Sequence, residues 1–418
     1  MTKQHDELDV FLNETKIGKL FETNGVMSFR YSSEFLNNPS AYPLSQSLPL
    51  KDMEFTDPVV ENFFSNLLPD ERMRNAIAMV LGTSPENTFG LLKRIGADCA
   101  GAVSFYPAGN VPAALAKPVY RILSDSEAYA ILDNLALCPL DAGDEGVRIS
   151  GAGSQEKLVA CVNAGTVSLP LYGTPSTHII KPAITGIPDS VYNEFFCMKL
   201  AKICKIPVAE CSILHLNEED FYVVERFDRV KKNGVTYRLH QEDFCQVLNI
   251  SPKLKYQEDG GPGIEECIEK MSQMHMPAMD RIHFIRLVIF NFLIGNCDAH
   301  AKNYAVLYRN GRPAFAPAYD LLSTMIYDNM SKCFAMKIGG ENRMGQMTQS
   351  HFKTMAVECN LNPKMILTEL LELAFMLPEK SKALCDELNA LHPSSVYERI
   401  VWEIGRLCSQ ILHSEPQR

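Results

Sequence analysis

At 418 residues, 46% of them hydrophobic and 22% charged, the chain has the make-up of an ordinary globular protein, long enough for two or three domains. A formal net charge of −10 excludes a broad basic footprint for nucleic acid while leaving room for a local basic patch. Met1 to Glu7 is polar, no window reaches about eighteen apolar residues without charges, and the thirteen cysteines show no Cys-x-x-Cys spacing. No secretory signal, membrane span or thiolate metal site is expected; reduced thiols in a cytoplasmic protein are.

In chain order, Leu8–Leu12, Lys16–Leu20 and Val26–Tyr31 read as a three-stranded meander. A polar loop runs to Leu50, then Val59–Leu68 and Glu71–Leu81 have helical periodicity. Nothing in residues 1–107 pairs a nucleophile with a base or gathers metal ligands. A Pro/Ala-rich linker follows from Pro107 to Pro118, and Glu145–Cys161 reads as strand, glycine-bearing loop, strand. Amides freed at Gly151 and Gly153 can wrap an anion and Lys157 can meet phosphate charge, although alone the pattern reads more readily as a plain turn. It is no Walker loop, lacking Gly-x-x-x-x-Gly-Lys-[Ser/Thr].

Thr177–Pro182 is a short apolar strand ending in Lys181, usually a solvated place for a lysine. The next helix, roughly Val191 to Cys204, carries Glu194 in its first turn, suited either to the helix dipole or to an ion pair with Lys181. Phe221–Arg229 is a buried strand running into charges. His240–Phe244 opens a helical second half, interrupted by a hairpin at 304–316 and a flexible stretch near Gly339-Gly340. Ile366, Leu370, Leu373, Phe375 and Met376 form a core stripe.

The most informative stretch is Ile282 to Asp320. Phe284–Ile294 is apolar enough for a buried helix, and polar residues crowd into Gly295–Asn303 before Tyr304–Tyr308, an Asn310-Gly311 turn and a second short strand. Asp298 and Asn303 stand as Asp-x-x-x-x-Asn, the interval of protein-kinase catalytic loops, where the Asp accepts the substrate hydroxyl's proton and the Asn holds magnesium. Asp320 arrives one hairpin later, where a kinase keeps its main metal-binding acid. Mg²⁺ takes hard oxygen ligands, only one or two from protein, so two carboxylates and an amide suit it. Cys297, beside Asp298, reads as packing.

Taken together, Ile149–Lys157, Ile180-Lys181-Pro182, Asn193-Glu194, Val224–Arg229, Gly295–Asn303 and Ala318-Tyr319-Asp320 resemble the HipA toxin kinases, the toxin halves of bacterial HipBA-type toxin–antitoxin modules. The resemblance implies an α+β, two-lobed protein-kinase-like fold: an extra N-terminal subdomain (1–107), a β-rich N-lobe with the glycine loop (119–238) and an all-helical C-lobe with the catalytic loop (239–418). It implies ATP and Mg²⁺ as cofactors, Asp298 as catalytic base, and Asn303 and Asp320 as metal ligands. Lys181 would hold the ATP phosphates, with Ser150, Gly151, Ala152, Gly153, Ser154, Lys157 and His300 nearby and the Glu225–Phe227 backbone at the adenine. Family members phosphorylate a serine in their own glycine loop; Ser150 matches it and Ser154 is the alternative. They bind a small helix-turn-helix antitoxin (HipB-like), through which any DNA contact would be made, and their substrates include aminoacyl-tRNA synthetases.

Two other readings compete. A small-molecule kinase would share the Asp-x4-Asn loop and the later acid, with an acceptor pocket in the helical half. A catalytically silent, corepressor-like binding module would act only with an antitoxin on DNA.

Overall fold

The computed structural model describes residues 6–112, 117–135, 152–153 and 155–414. The fold is α+β, in two compact units that are each discontinuous in sequence. The first comprises Met1–Pro182, Leu214–Lys253 and Val306–Pro313; the second comprises Ala183–Ile213, Leu254–Ala305 and Ala314–Arg418.

In the first unit, β1 (Asp6–Leu12), β2 (Thr15–Thr23) and β3 (Val26–Tyr31) form the expected meander, extended by β4 (Phe55–Thr56) and β5 (Val103–Pro107) into a sheet of order β4-β3-β2-β1-β5. Asn24 and Gly25 both take positive φ between β2 and β3, the backbone a two-residue hairpin demands. Helices Val59–Ser65 and Glu71–Val80 lie where the periodicity places them, and a further helix, Thr88–Ile95, is capped by Asn87, whose side chain accepts from the Gly90 N–H. One core of Leu8, Val10, Leu20, Phe29, Phe64 and Phe105, all fully buried, joins sheet and helices.

A second sheet contains β6 (Tyr120–Ile122), β7 (Leu158–Asn163), β8 (Thr166–Pro170), β9 (His178–Lys181), β10 (Cys211–Leu216, in this unit from Leu214) and β11 (Glu219–Glu225). Its order is β10-β11-β9-β7-β8-β6. Helix Asp125–Asp133, opened by a Ser124/Glu127 capping box, packs Ala128 and Leu132 onto the core with Leu158, Ile180 and Val223. His240–Asp243, expected to open a helix, is a strand; the helix begins at Phe244.

Both sheets meet at a buried ion cluster. Asp98, at the end of the N-terminal region, accepts from Arg229 and Arg238 at 2.9 Å each and from the Ser176 N–H at 3.0 Å. Asp228 is bridged to Arg226 at 2.7 Å and to Arg229 at 2.9 Å. Burial alone would push the Asp98 carboxyl up, but the Arg229, Arg238 and Arg226 guanidiniums outweigh it and hold the group well below the carboxylate range.

The second unit is built on helices Ser190–Ile203, Ile264–Gln273, Ala278–Leu293, Gln349–Glu358, Pro363–Leu391 and Val396–His413. The stretch near Gly339-Gly340, expected to be flexible, is the turn of a hairpin joining Cys333–Ile338 to Glu341–Arg343. Gly339 is at φ +53°, and a Cβ there would lie 2.2 Å from the His351 carbonyl oxygen, so glycine is required. Phe375 is corrected from core to surface at 81% exposure: Ile366, Leu370, Leu373, Ala374 and Leu377 hold the buried stripe, and Phe375 falls off its angle. The twelve described cysteines are all free thiols, most of them buried.

Removing one partner of a buried ion pair leaves the other uncompensated. Asp98→Asn, which strands three buried guanidiniums on Asp228, is expected to cost about 3–5 kcal/mol in denaturant unfolding at pH 7. His240 offers a pH test. Burial pushes its imidazole from 6.5 down to about 4, against a hydrogen bond from Nε2 to the Leu44 carbonyl that raises it. Between those values the unfolded chain binds the proton and the folded one does not, so stability falls as pH drops from 6.5 towards 4. His240→Gln should flatten that slope in unfolding curves recorded at pH 7, 6 and 5.

Candidate active site

The Ala278–Leu293 helix, buried along Phe284, Val288, Ile289, Phe292 and Leu293, delivers the chain to a tight loop. Gly295 takes φ +73°, and a Cβ there would stand 2.9 Å from the Met325 side chain, so no other residue fits. Its carbonyl accepts from the Met325 N–H at 2.9 Å and from the Thr324 hydroxyl at 3.3 Å, while Thr324 Oγ1 accepts from the Cys297 N–H at 2.8 Å. Asn296 turns its Oδ1 to the Asp298 N–H at 3.1 Å and its Nδ2 to Asn291 Oδ1 at 2.8 Å. Asp298 is thereby held from behind by neutral hydrogen bonds.

Asn303 closes the short 3₁₀ turn Ala301–Asn303, and its Nδ2 donates to the Asp298 carbonyl at 3.0 Å. An amide engaged through nitrogen turns its oxygen away from that carbonyl. Beyond the hairpin Ala305–Arg309 and Arg312–Phe315, whose Asn310 and Gly311 both take positive φ, comes Asp320. Asp320 itself sits at φ +59°, a left-handed backbone that Asp and Asn tolerate best after glycine. Both flanks of that bend are tied down. Ala318 exchanges backbone bonds with Pro207 and Ala209, and the Tyr319 hydroxyl donates to the Lys302 carbonyl at 2.7 Å. Asn193, fully buried, accepts from the Ser323 N–H at 2.8 Å and donates to the Ser323 carbonyl at 3.0 Å.

Burial holds the His300 imidazole below its ordinary value; the Asp298 and Asp320 carboxylates pull it up, while the Lys255 and Lys302 ammoniums pull it down. Its Nδ1 is buried with no hydrogen-bond partner. A cavity of about 260 Å³ opens beside Asp298, lined among others by Tyr256, Glu258, Thr324, Met330 and Phe334. The Tyr256 hydroxyl donates to Asp298 Oδ1 at 2.5 Å.

Among the described residues no group of three or more His, Cys, Asp or Glu side chains forms a self-sufficient metal cage. The Asp320 carboxylate and the Asn303 amide oxygen are instead a hard-oxygen donor pair of the kind suited to a cation that keeps phosphate and water among its ligands. Magnesium fits it.

In the first unit, Lys181 ends β9 and is 6% exposed, with its ammonium 5.6 Å from the Tyr222 ring. Of the glycine loop, Ser150, Gly151 and Ser154 lie outside the described residues. Gly153, at φ +101°, pairs with Pro69, and its carbonyl accepts from the Asp70 N–H at 3.1 Å. Lys157 folds back on the loop, its Nζ donating to the Ala152 carbonyl at 2.5 Å. The Arg226 N–H donates to the Thr177 carbonyl, and Glu225, exposed, and Phe227 flank it. In the second unit, Glu194 sits in the second turn of its helix, not the first, and is 2% exposed, so it is no surface charge on the helix dipole.

Sequence reasoning missed Tyr256, Thr324 and the role of Asn193. Asn193 was visible only as part of a motif; for the other two no spacing pointed to Asp298, because the contacts join loops 27 and 42 positions apart.

Two family models match the chain: one described as the HipA N-terminal domain over residues 8–106, the other as the HipA-like C-terminal domain over residues 149–380. A putative kinase of Sinorhizobium fredii, Y4mE, is 37% identical over 90% of this chain and 90% of its own length. The serine/threonine-protein kinase toxin HipA of Shewanella oneidensis is 30% identical over 89% of this chain and 88% of its own. A solved complex of Shewanella oneidensis HipA with HipB and operator DNA is similar at a TM-score of 0.85 and 26% identity, covering 97% of both chains.

Asp320→Asn keeps the tolerance for positive φ and removes only the charge. A ligand present at about a hundred times its Kd stabilises by about 2.7 kcal/mol. The variant is expected to melt like the wild type alone and to lose most of the Mg-ATP-induced rise in Tm, measured by differential scanning fluorimetry.

Proposed function

The chain belongs to the HipA family of serine/threonine-protein kinase toxins, and on that premise we propose that it transfers a phosphoryl group from ATP to a protein serine or threonine with Asp298 as the base. The observation that supports the reading is the Asp-x4-Asn loop itself, with the Asn303 amide fastened to the Asp298 carbonyl at 3.0 Å and a cavity open beside Asp298. Bound Mg-ATP would supply the phosphoryl group and the cation that offsets its charge. Asn303 and Asp320 hold the cation; Asp298 accepts the proton of the acceptor hydroxyl, which enters from the cavity beside it. The family likeness assigns Lys181, Lys157 and the Ala152-Gly153 backbone to the nucleotide's phosphates and the Glu225–Phe227 backbone to its adenine. Phosphoryl transfer asks little covalent work of a protein and much positioning. The hydrogen bonds behind Asp298 and Asp320 supply that.

The finer assignments follow from the family. The chain acts as the growth-arresting toxin of a toxin–antitoxin module in the cytoplasm. It phosphorylates a translation-related protein such as an aminoacyl-tRNA synthetase, and silences itself by phosphorylating Ser150, with Ser154 the alternative. A HipB-like antitoxin is its partner and provides the DNA contact; the similar Shewanella structure is a complex of HipA, HipB and operator DNA. That division suits a chain of net charge −10. No helix among the described residues is long and apolar enough to cross a membrane.

Mass spectrometry of the chain incubated with Mg-ATP tests the reading directly. Phosphate is expected on Ser150 or Ser154 of the wild type. Asp298→Asn is expected to slow its appearance about 10²–10⁴-fold, the usual contribution of a general base. Equal labelling of the two proteins would remove Asp298 from the mechanism, and label on metabolites of a cell lysate instead of proteins would favour a small-molecule kinase.

A further inference from the structure

Resting on the kinase reading, we propose that Tyr256 is a positioning residue for Asp298: its phenol holds one carboxylate oxygen so that the other faces the acceptor hydroxyl.

The Tyr256 hydroxyl donates to Asp298 Oδ1 at 2.5 Å, and among the described residues no other side chain hydrogen-bonds that carboxylate. A carboxylate on a single Cβ–Cγ bond has a broad torsional well and does not choose its own orientation. Proton transfer needs the accepting oxygen about 2.6–3.2 Å from the acceptor hydroxyl, and misplacement by about 1 Å can cost about 10²-fold. A phenol, with an ordinary pKa of about 10, stays a donor at neutral pH and does not compete for the acceptor's proton. It fixes the plane of the carboxylate and leaves Oδ2 for chemistry.

The tyrosine is itself held. Its carbonyl accepts from the Asp259 N–H at 3.1 Å and the Gly261 N–H at 2.9 Å. Gly261 has no room for a side chain, since a Cβ would lie 2.2 Å from the Leu254 carbonyl oxygen and 2.7 Å from that of Tyr256. One residue back, the Lys255 carbonyl accepts from the Ala301 N–H at 3.3 Å, tying this loop to the one that bears Asp298. The ring meets His300 edge-on at 4.9 Å and lies 5.6 Å from the Lys255 ammonium. Those ring contacts do not need the hydroxyl. Tyr256→Phe therefore keeps them and removes the hydrogen bond to Asp298.

The test uses the full chain and its own serine as acceptor, in single-turnover self-phosphorylation across a range of Mg-ATP concentrations. Tyr256→Phe is expected to lower the maximal rate about 10–100-fold while leaving the half-saturating ATP concentration and the Tm unchanged; a merely structural residue would move the Tm or ATP affinity with the rate. Tyr256→His, which keeps a ring and a donor, is expected to recover part of the lost rate. An unchanged rate in the Phe variant would overturn the proposal. So would a faster one, which would make the phenol a plug in the acceptor's seat, or phosphate on Tyr256 itself, which would make it an acceptor. Labelling of Asp298→Asn at the wild-type rate would instead remove Asp298 from the mechanism, and this proposal with it, whereas a wild type that never labels itself would sink the kinase reading.

Discussion

A carboxylate on a loop does not fix its own position, so something neutral must hold the backbone around Asp298 and Asp320 in place. In the second unit that task falls to the Thr324 hydroxyl and the Asn193 amide. Thr324 joins both ends of the turn before Asp298, accepting from the Cys297 N–H at 2.8 Å and donating to the Gly295 carbonyl at 3.3 Å. Asn193 grips Ser323 by both its N–H and its carbonyl, just past the left-handed bend at Asp320. Neither residue carries charge, so neither offsets the acids. They fix geometry alone, which is how preorganised sites avoid reorganising during a reaction.

The same logic explains what is buried in the first unit. Lys181 at 6% exposure would be costly without charge or π partners around it, and the Tyr222 face supplies part of that environment. Lys157 turns onto the Ala152 carbonyl, within its own loop.

Much of this was legible beforehand because it follows local rules. The apolar run before Gly295, the Asn310-Gly311 turn and the Asp-x4-Asn interval are short-range patterns, and the structure places a helix, a hairpin and a tight loop closed by the Asn303 amide on them. What failed had non-local causes. Phe375 looked like core because it is apolar within an apolar helix, yet its angle points it outward. The stretch around Gly339-Gly340 looked flexible because two glycines stand together; the neighbouring helix's His351 carbonyl makes one of them obligatory. Of the two roles open to Glu194, the helix dipole falls away because the helix starts one residue earlier than expected, an ordinary uncertainty at helix ends. Tyr256 could not be seen at all, since nothing in a tyrosine's neighbours says which distant carboxylate its hydroxyl will reach.

The ion cluster of the first unit bears on what the N-terminal region is for. Residues 8–106 and 149–380 match separate family models, which suggests two detachable pieces. The chemistry says otherwise. Asp98 from the first stretch neutralises Arg226, Arg229 and Arg238 from the second, and Gly101 donates its N–H to Asp228 at 2.7 Å. Burial and the neighbouring Arg226 push even Arg229 down to about 10. Without Asp98 three guanidiniums would face one carboxylate out of reach of water, an arrangement that costs more than it returns. Arg226, Asp228 and Arg229 directly follow β11, whose end carries Glu225 of the proposed adenine backbone. The N-terminal region thus acts as the counter-charge that lets that strand end fold where it does, and the two stretches make one folding unit.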